Sequence, residues 1–265
     1  MDYLVRAVRF LGRNIFRNPR YLGWYISAYF QRDYRAHALF YSVQELDTLL
    51  AQGKSMIRIG DGEIYLMNFG SIAHYENYNP ELRRYILSII RDYTPDAPYV
   101  IGLPQKYVDM SNDELRKLNM LRCWLPLKIM VRHRFPKAMK YFDAHIFYRS
   151  GTFVNVLEKH LKPHRVIVVT RKHNINLLEE AGIHSKLNVT FIETKESGTF
   201  ADRKEIMAHI RETAASHKSG YRILFSAGPA SKAMIYDLSR EGFICYDLGL
   251  GIEAVYRKNE IESQI

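Results

Sequence analysis

The chain has 265 residues, a formal charge of +10 and an apolar content of 47%, which supplies one large α/β domain with a proper core and excludes intrinsic disorder. Its basic excess favours anionic partners, namely nucleotide diphosphates, lipid phosphates or nucleic acid, without choosing among them. No stretch approaches the roughly 20 apolar residues that cross a bilayer, and arginines interrupt the N-terminus so that no secretory signal forms. The two cysteines, Cys123 and Cys245, stand in no metal or redox spacing, which suits a reducing cytoplasm.

The first 35 residues carry seven arginines, two aspartates and no lysine. At roughly 100° per residue, Leu4, Val8, Leu11 and Ile15 share one helical face and Arg6, Arg9, Arg13 and Arg17 the opposite one. This pattern predicts a basic amphipathic helix broken at Asn18-Pro19. Tyr21, Trp24, Tyr25, Tyr29 and Phe30 follow, the aromatic mix of a membrane–water interface. Residues 1–41 are therefore expected to form a basic, helical N-terminal arm that meets an anionic membrane surface through residues 1–35. Packing on the main domain or on a second protomer is the other reading of the same pattern.

Residues 42–265 read as the main domain. Ser42 to Gln52 is a helix with Glu45 in the capping-box position, Ser55 to Ile59 a short strand, and Gly60 to Glu63 the loop from that strand into a helix. Pro80 to Asp92 reads as an amphipathic helix and Pro98 to Leu103 as an apolar strand. From Gln105 to Phe142 the pattern is irregular, with a helix start at Ser111-Asn112-Asp113-Glu114 and a basic, aromatic run over Val131 to Lys140. Beyond it, strands are predicted at Ala144 to Tyr148, Val166 to Thr170, Val189 to Glu193, Arg222 to Ser226 and Phe243 to Leu248. Helices fall between them at Thr152 to His160, Ile175 to Ala181, Phe200 to His217 and Ala230 to Arg240. Strands and helices that alternate through short connections predict an α/β fold, a Rossmann-like, doubly wound, mostly parallel sheet that binds ligands at the carboxyl ends of its strands.

Asp61 and Glu63 stand at such a strand end, separated by one glycine. Paired carboxylates suit a hard divalent cation, Mn²⁺ or Mg²⁺, which leaves positions for water and substrate phosphates. Gly60 and Gly62 permit a tight turn and close backbone approach. Taken alone, Asp-x-Glu is also met in ordinary acidic loops. The segment Arg58-Ile59-Gly60-Asp61-Gly62-Glu63, however, resembles the hallmark of the bacterial glycosyltransferases of the GT-D fold, which carries that family's Asp-x-Glu metal motif. Ser226 to Lys232, Tyr236-Asp237-Leu238, Gly242 and Tyr246-Asp247-Leu248-Gly249 resemble the family's closing strand–helix–strand unit. The resemblance implies a Rossmann-like transferase that uses a metal-bound nucleotide sugar, typically UDP-linked, to extend a bacterial surface glycan.

Further candidates follow from strand ends. Gly228-Pro229 opens a helix whose backbone N–H groups at Ala230, Ser231 and Lys232 would face a diphosphate, or else forms an ordinary strand-to-helix turn. Arg149 and Arg171 each follow a predicted strand and are placed to clamp phosphate oxygens. Asp247 and Glu253 close the last strand as candidates for metal binding, sugar hydroxyl recognition or proton transfer from an acceptor hydroxyl, with Glu253 the first choice of base; both are equally readable as solvated loop acids. The ten histidines show no zinc spacing. The expected partners are a nucleotide-sugar donor, a glycan or lipid-linked glycan acceptor and the inner face of the cell membrane, with oligomers left open. A nucleic-acid-binding protein would account for the charge but leaves the acidic loop without a purpose. An inactive membrane scaffold is the third reading.

Overall fold

The structure, a computed structural model, describes residues 19–72, 76–215 and 217–252, apart from the side chains of Tyr148, Arg149 and Leu250. The basic helix expected before Asn18 lies outside the described residues. Eight strands are described: β1 Leu39–Phe40, β2 Ser55–Arg58, β3 Tyr99–Leu103, β4 Lys140–Asp143, β5 Arg165–Arg171, β6 Asn188–Thr194, β7 Tyr221–Ser226 and β8 Cys245–Asp247. They form one sheet in the order β1-β4-β3-β2-β8-β7-β5-β6, with every neighbouring pair parallel.

Parallel strands joined by crossover helices are covered on both faces and read as continuous apolar runs. In β5, alternate side chains divide accordingly: Ile167 and Val169 enter one apolar cluster, Val166 and Val168 the other. β2 divides the same way, with Ile57 against Met56, and so does β7, with Ile223 and Phe225 against Leu224. The first cluster is capped by helices Pro80–Arg91, Leu121–Arg134, Arg203–Thr213 and Ala230–Arg240. Helices Val43–Ala51, Gly151–Leu161 and Lys172–Glu180 cap the second. The result is the doubly wound, three-layer plan expected. β3 and β4 lie to one side of β2, and β8, β7, β5 and β6 to the other, so the carboxyl ends of the central strands open a crevice where the winding reverses.

Local chemistry sets the element ends. Ser42 and Glu45 form the expected capping box, with Glu45 N–H to Ser42 Oγ at 3.2 Å and Ser42 N–H to Glu45 Oε2 at 2.8 Å. Asn79 caps the next long helix by accepting from the N–H groups of Glu81 and Leu82, with Pro80 at the first helical position. A methyl group on Gly102 would lie 2.4 Å from the Phe142 ring, so glycine is what lets β3 and β4 pair there.

Three expectations are corrected. The strand expected at Ala144 to Tyr148 is instead β4 at Lys140–Asp143, and Ile146–Arg149 is a helical turn. Asp143 causes the shift: its Oδ1 accepts the N–H groups of His145 and Gln105, both at 3.1 Å, which ends the strand and turns the chain. The helix expected from Phe200 begins as a 3₁₀ turn, Thr199–Asp202, and continues as Arg203–Thr213. Pro19 opens a helix, Pro19–Phe30, where the aromatic segment was expected to lie at a membrane interface. Tyr21, Tyr25 and Ala28 of this helix are buried in the first core cluster, and β1 extends the sheet beside β4. Residues 19–41 are thereby built into the main domain.

Candidate functional site

At the carboxyl edge of the sheet, a cavity of about 320 Å³ runs from the end of β4 to the end of β6. Arg58, Gly60, Asp61, Gly62, Glu63, Arg171, Gly228 and Lys232, all expected at the site, line it. Ile72, Pro104, Trp124, Ala144, His145, Lys195, Glu196, Thr199 and Gly249 are also among its lining residues.

The floor is a buried network of four charges. Lys232, in the first turn of helix Ala230–Arg240, places Nζ 3.1 Å from Glu63 Oε1 and 3.0 Å from Asp247 Oδ2, and donates to the Gly228 carbonyl at 3.2 Å. Burial alone would pull the Lys232 pKa down, but the charges of Asp247 and Glu63 outweigh it and hold the ammonium above its ordinary value. Glu63 Oε2 accepts the Gly60 N–H at 2.8 Å. Arg58 donates its backbone N–H to Asp247 Oδ2 at 3.2 Å and its Nη1 to the Ala144 carbonyl at 3.2 Å, with Nε 3.8 Å from Asp247 Oδ1. Gly249 has φ +50°, and a Cβ there would stand 1.6 Å from Arg58 Nη2; only glycine lets this guanidinium pass.

Two cations balance two carboxylates in this network, and Asp61 is left over. No basic side chain among the described residues makes an ion pair with it. Burial raises the Asp61 pKa above the ordinary aspartate value, and the neighbouring Glu63 charge raises it further. A half-buried carboxylate facing a cavity beside a second carboxylate is the donor set of a hard divalent cation whose remaining ligands are phosphate and water. No group of three or more metal-ligating side chains occurs among the described residues, as such a site requires no more. The expected cation would find in Asp61 an uncompensated carboxylate, with Glu63 beside it already holding Lys232 and the Gly60 N–H.

Several expected roles change. Asp247 is fully buried and does not line the cavity; it cannot take a proton from an acceptor there and instead anchors Lys232 and Arg58. Lys232 spends its ammonium donors on this network and so positions the acidic loop, whereas Arg58 gives Nη1 to the Ala144 carbonyl and its buried Nε has no hydrogen-bond partner among the described residues. Ser231 is fully buried, with its Oγ accepting the Ala227 N–H at 3.2 Å. The Ser231 and Lys232 N–H groups turn back to Gly228 and Pro229 carbonyls, each at 3.2 Å, which removes them as phosphate donors. Gly60 is extended and Gly62 helical, so neither uses a left-handed conformation. The Arg149 side chain and Glu253 lie outside the described residues.

Sequence reasoning missed Lys195, Thr199, Trp124 and His145. Arg171, the last residue of β5, and Lys195, the first after β6, form the basic wall, each in an ion pair, with Glu196 at 3.1 Å and Asp202 at 2.9 Å. At the other end, the Trp124 indole stacks on Tyr107 with centroids 4.0 Å apart and planes 8° apart. The His145 ring stands edge-on to both. Lys195 was within reach of the strand-end argument already applied to Arg171; Trp124 belongs to a helix and carried no such signal.

An open, all-parallel sheet with an acidic crevice at its switch point defines a Rossmann-like protein whose ligand site joins a basic wall to an aromatic one. The model of the glycosyltransferase GT-D fold matches residues 56–260, and the chain belongs to that family, a glycosyltransferase. Two solved structures of the domain of unknown function 1792 superpose with a TM-score of 0.69, at 19% and 20% identity, over 86% of this chain and 83% of theirs. One is a selenomethionine form and the other is described as having a distinct glycosyltransferase fold. A structure described as a new glycosyltransferase from Streptococcus sanguinis superposes with a TM-score of 0.65 at 20% identity, over 86% of this chain and 85% of its own. No curated protein matches the sequence at a significant level.

Proposed function

We propose that this glycosyltransferase uses a nucleoside diphosphate sugar, UDP-linked, as donor and a divalent cation, Mn²⁺ or Mg²⁺, held by Asp61 and Glu63. Asp61 carries the reading: of the carboxylates lining the cavity, Glu63 is paired with Lys232 and Glu196 with Arg171, whereas Asp61 makes no ion pair with a described residue. A bound cation would neutralise charge on the departing diphosphate. The chain's own residues supply the rest. Lys232 holds the Asp61–Glu63 loop in place, and the wall of Arg171, Lys195 and Thr199 receives the diphosphate. The acceptor is a hydroxyl of a bacterial surface glycan or a lipid-linked glycan, presented at the inner face of the membrane. Glu253 is the proposed base, four residues beyond Gly249 of the cavity wall.

Thermal shift and slow hydrolytic release of nucleotide test this with a panel of nucleotide sugars in Mn²⁺, Mg²⁺ and chelator. The expected result is stabilisation by one donor class that requires metal and is lost in Asp61→Ala. Glu63→Ala is expected to lose it too, after allowance for the Lys232 charge it exposes. Equal donor binding in chelator and in Asp61→Ala would reject the metal site. Glu253→Gln is expected to keep donor binding and lose transfer. Absence of binding by any nucleotide sugar at any metal concentration would favour an inactive scaffold.

A further inference from the structure

The aromatic end of the cavity has no part in holding a diphosphate or a cation, yet it is firmly built. Trp124 is fixed from one side by its stack on Tyr107, and His145 is fixed edge-on to the pair. The backbone N–H of His145 is tied to Asp143. The indole N–H makes no hydrogen bond to a described residue, while Trp124 and His145 both border the cavity. An apolar face with polar groups at its rim matches a sugar ring, which shows C–H groups on its face and hydroxyls around its edge.

Position decides which part of the substrate meets this wall. The cationic residues Arg171 and Lys195 stand at the ends of β5 and β6, whereas Pro104, Ala144 and His145 follow β3 and β4. Asp61, after β2, lies between these groups in the sheet order. The helix Asp61–Met67 packs on helix Leu121–Arg134, which carries Trp124. The aromatic wall therefore adjoins the carboxylate where the sugar–phosphate bond is to break, across from the diphosphate wall. A nucleobase, held from the reacting carbon by a ribose and two phosphates, belongs at the far end.

On the nucleotide-sugar reading above, we infer that Trp124, backed by Tyr107 and flanked by His145, is the platform for a pyranose ring at the reacting end of the site. That ring is either the donor's glycosyl group or the acceptor's terminal sugar.

The chain has two tryptophans, and Trp24 stacks on His133, so Trp24→Phe leaves Trp124 as the sole indole reporter. In that background, emission is followed on titration with UDP, UDP-glucose, UDP-N-acetylglucosamine and the methyl glycosides of the same sugars, all with Mn²⁺. Sugar-bearing ligands are expected to change Trp124 emission and UDP alone to leave it unchanged. Separately, Trp124→Ala, checked for an unaltered circular dichroism spectrum, is expected to lose about two- to ten-fold in affinity for the sugar-bearing ligand while keeping its Kd for UDP. Trp124→Phe is expected to recover part of the loss. A loss confined to the nucleotide sugar assigns the platform to the donor, and one confined to the methyl glycoside assigns it to the acceptor. Equal weakening of UDP and UDP-sugar would make the ring a nucleobase and overturn the inference. So would unchanged affinities together with silent emission. If wild type binds no nucleotide at all, the donor reading fails by itself, and the glycoside titration still decides whether Trp124 meets a sugar.

Discussion

Lys232 has three ammonium protons and three acceptors within 3.2 Å, namely Glu63, Asp247 and the Gly228 carbonyl. Substitution by methionine keeps the volume but leaves two carboxylates buried without their cation, a change that costs about 3–5 kcal/mol. Urea denaturation of Lys232→Met is expected to show that loss, and the added change Asp247→Asn to restore part of it. A cost below about 1 kcal/mol for the single variant would mean that the four charges do not act as a unit. The hexapeptide Arg58 to Glu63 was legible because its chemistry is contiguous. Lys232 was legible only as a basic residue near an anion site, since its two partners belong to other elements, Glu63 to helix Asp61–Met67 and Asp247 to β8. Asp247 was misread for the same reason: a strand-end acid looks accessible until the packing shows both its oxygens enclosed by Lys232 and Arg58.

Strands β5, β6 and β7 were found within one residue because their apolar runs are local, whereas helix Lys172–Glu180 begins three residues before its expected start and helix Arg203–Thr213 stops four residues short of its expected end. β1 has two residues, too few for any period to show, and β4 lost to the more apolar stretch after it. Helix Leu121–Arg134 sets another such limit, since it buries Lys128 completely. Lys128 Nζ donates to the Tyr34 and Met110 carbonyls and to Asn112 Oδ1, at 2.5, 2.7 and 2.9 Å. Asn112 in turn donates to the Ala28 and Gln31 carbonyls. These bonds fasten helix Pro19–Phe30 to the domain. Burial lowers the Lys128 pKa from 10.5 to about 8. A folded pKa below the unfolded one means that the unfolded chain holds more protons between pH 8 and pH 10.5, so stability rises through that window and is flat below it. Lys128→Met strips three acceptors of their donor and is expected to destabilise by about 1–3 kcal/mol. Its deficit relative to wild type should widen from pH 7 to pH 10 in matched urea titrations. A constant deficit would place the Lys128 pKa at its ordinary value.

At the scale of the molecule, the first 35 residues, with seven arginines against two aspartates, carry half of the formal charge of +10. No helix among the described residues is long and apolar enough to cross a membrane. Tyr21, Tyr25, Ala28 and Tyr34 are buried in the domain core, which leaves the residues before Pro19 as the segment on which the expectation of a membrane-binding arm is to be tested. Residues 1–17 hold four arginines against one aspartate, and each basic residue near an anionic leaflet contributes about 1 kcal/mol of attraction. Deleting residues 1–17 is expected to leave the Tm and donor binding unchanged, while sedimentation with phosphatidylglycerol vesicles falls by at least about ten-fold. Deleting residues 1–35 removes four core side chains and should lower the Tm as well. The shorter deletion thus separates membrane attachment from folding, which the longer one confounds. Vesicle binding undiminished by the shorter deletion would reject the arm as the anchor and leave attraction to the rest of the basic surface, identifiable by its loss in high salt.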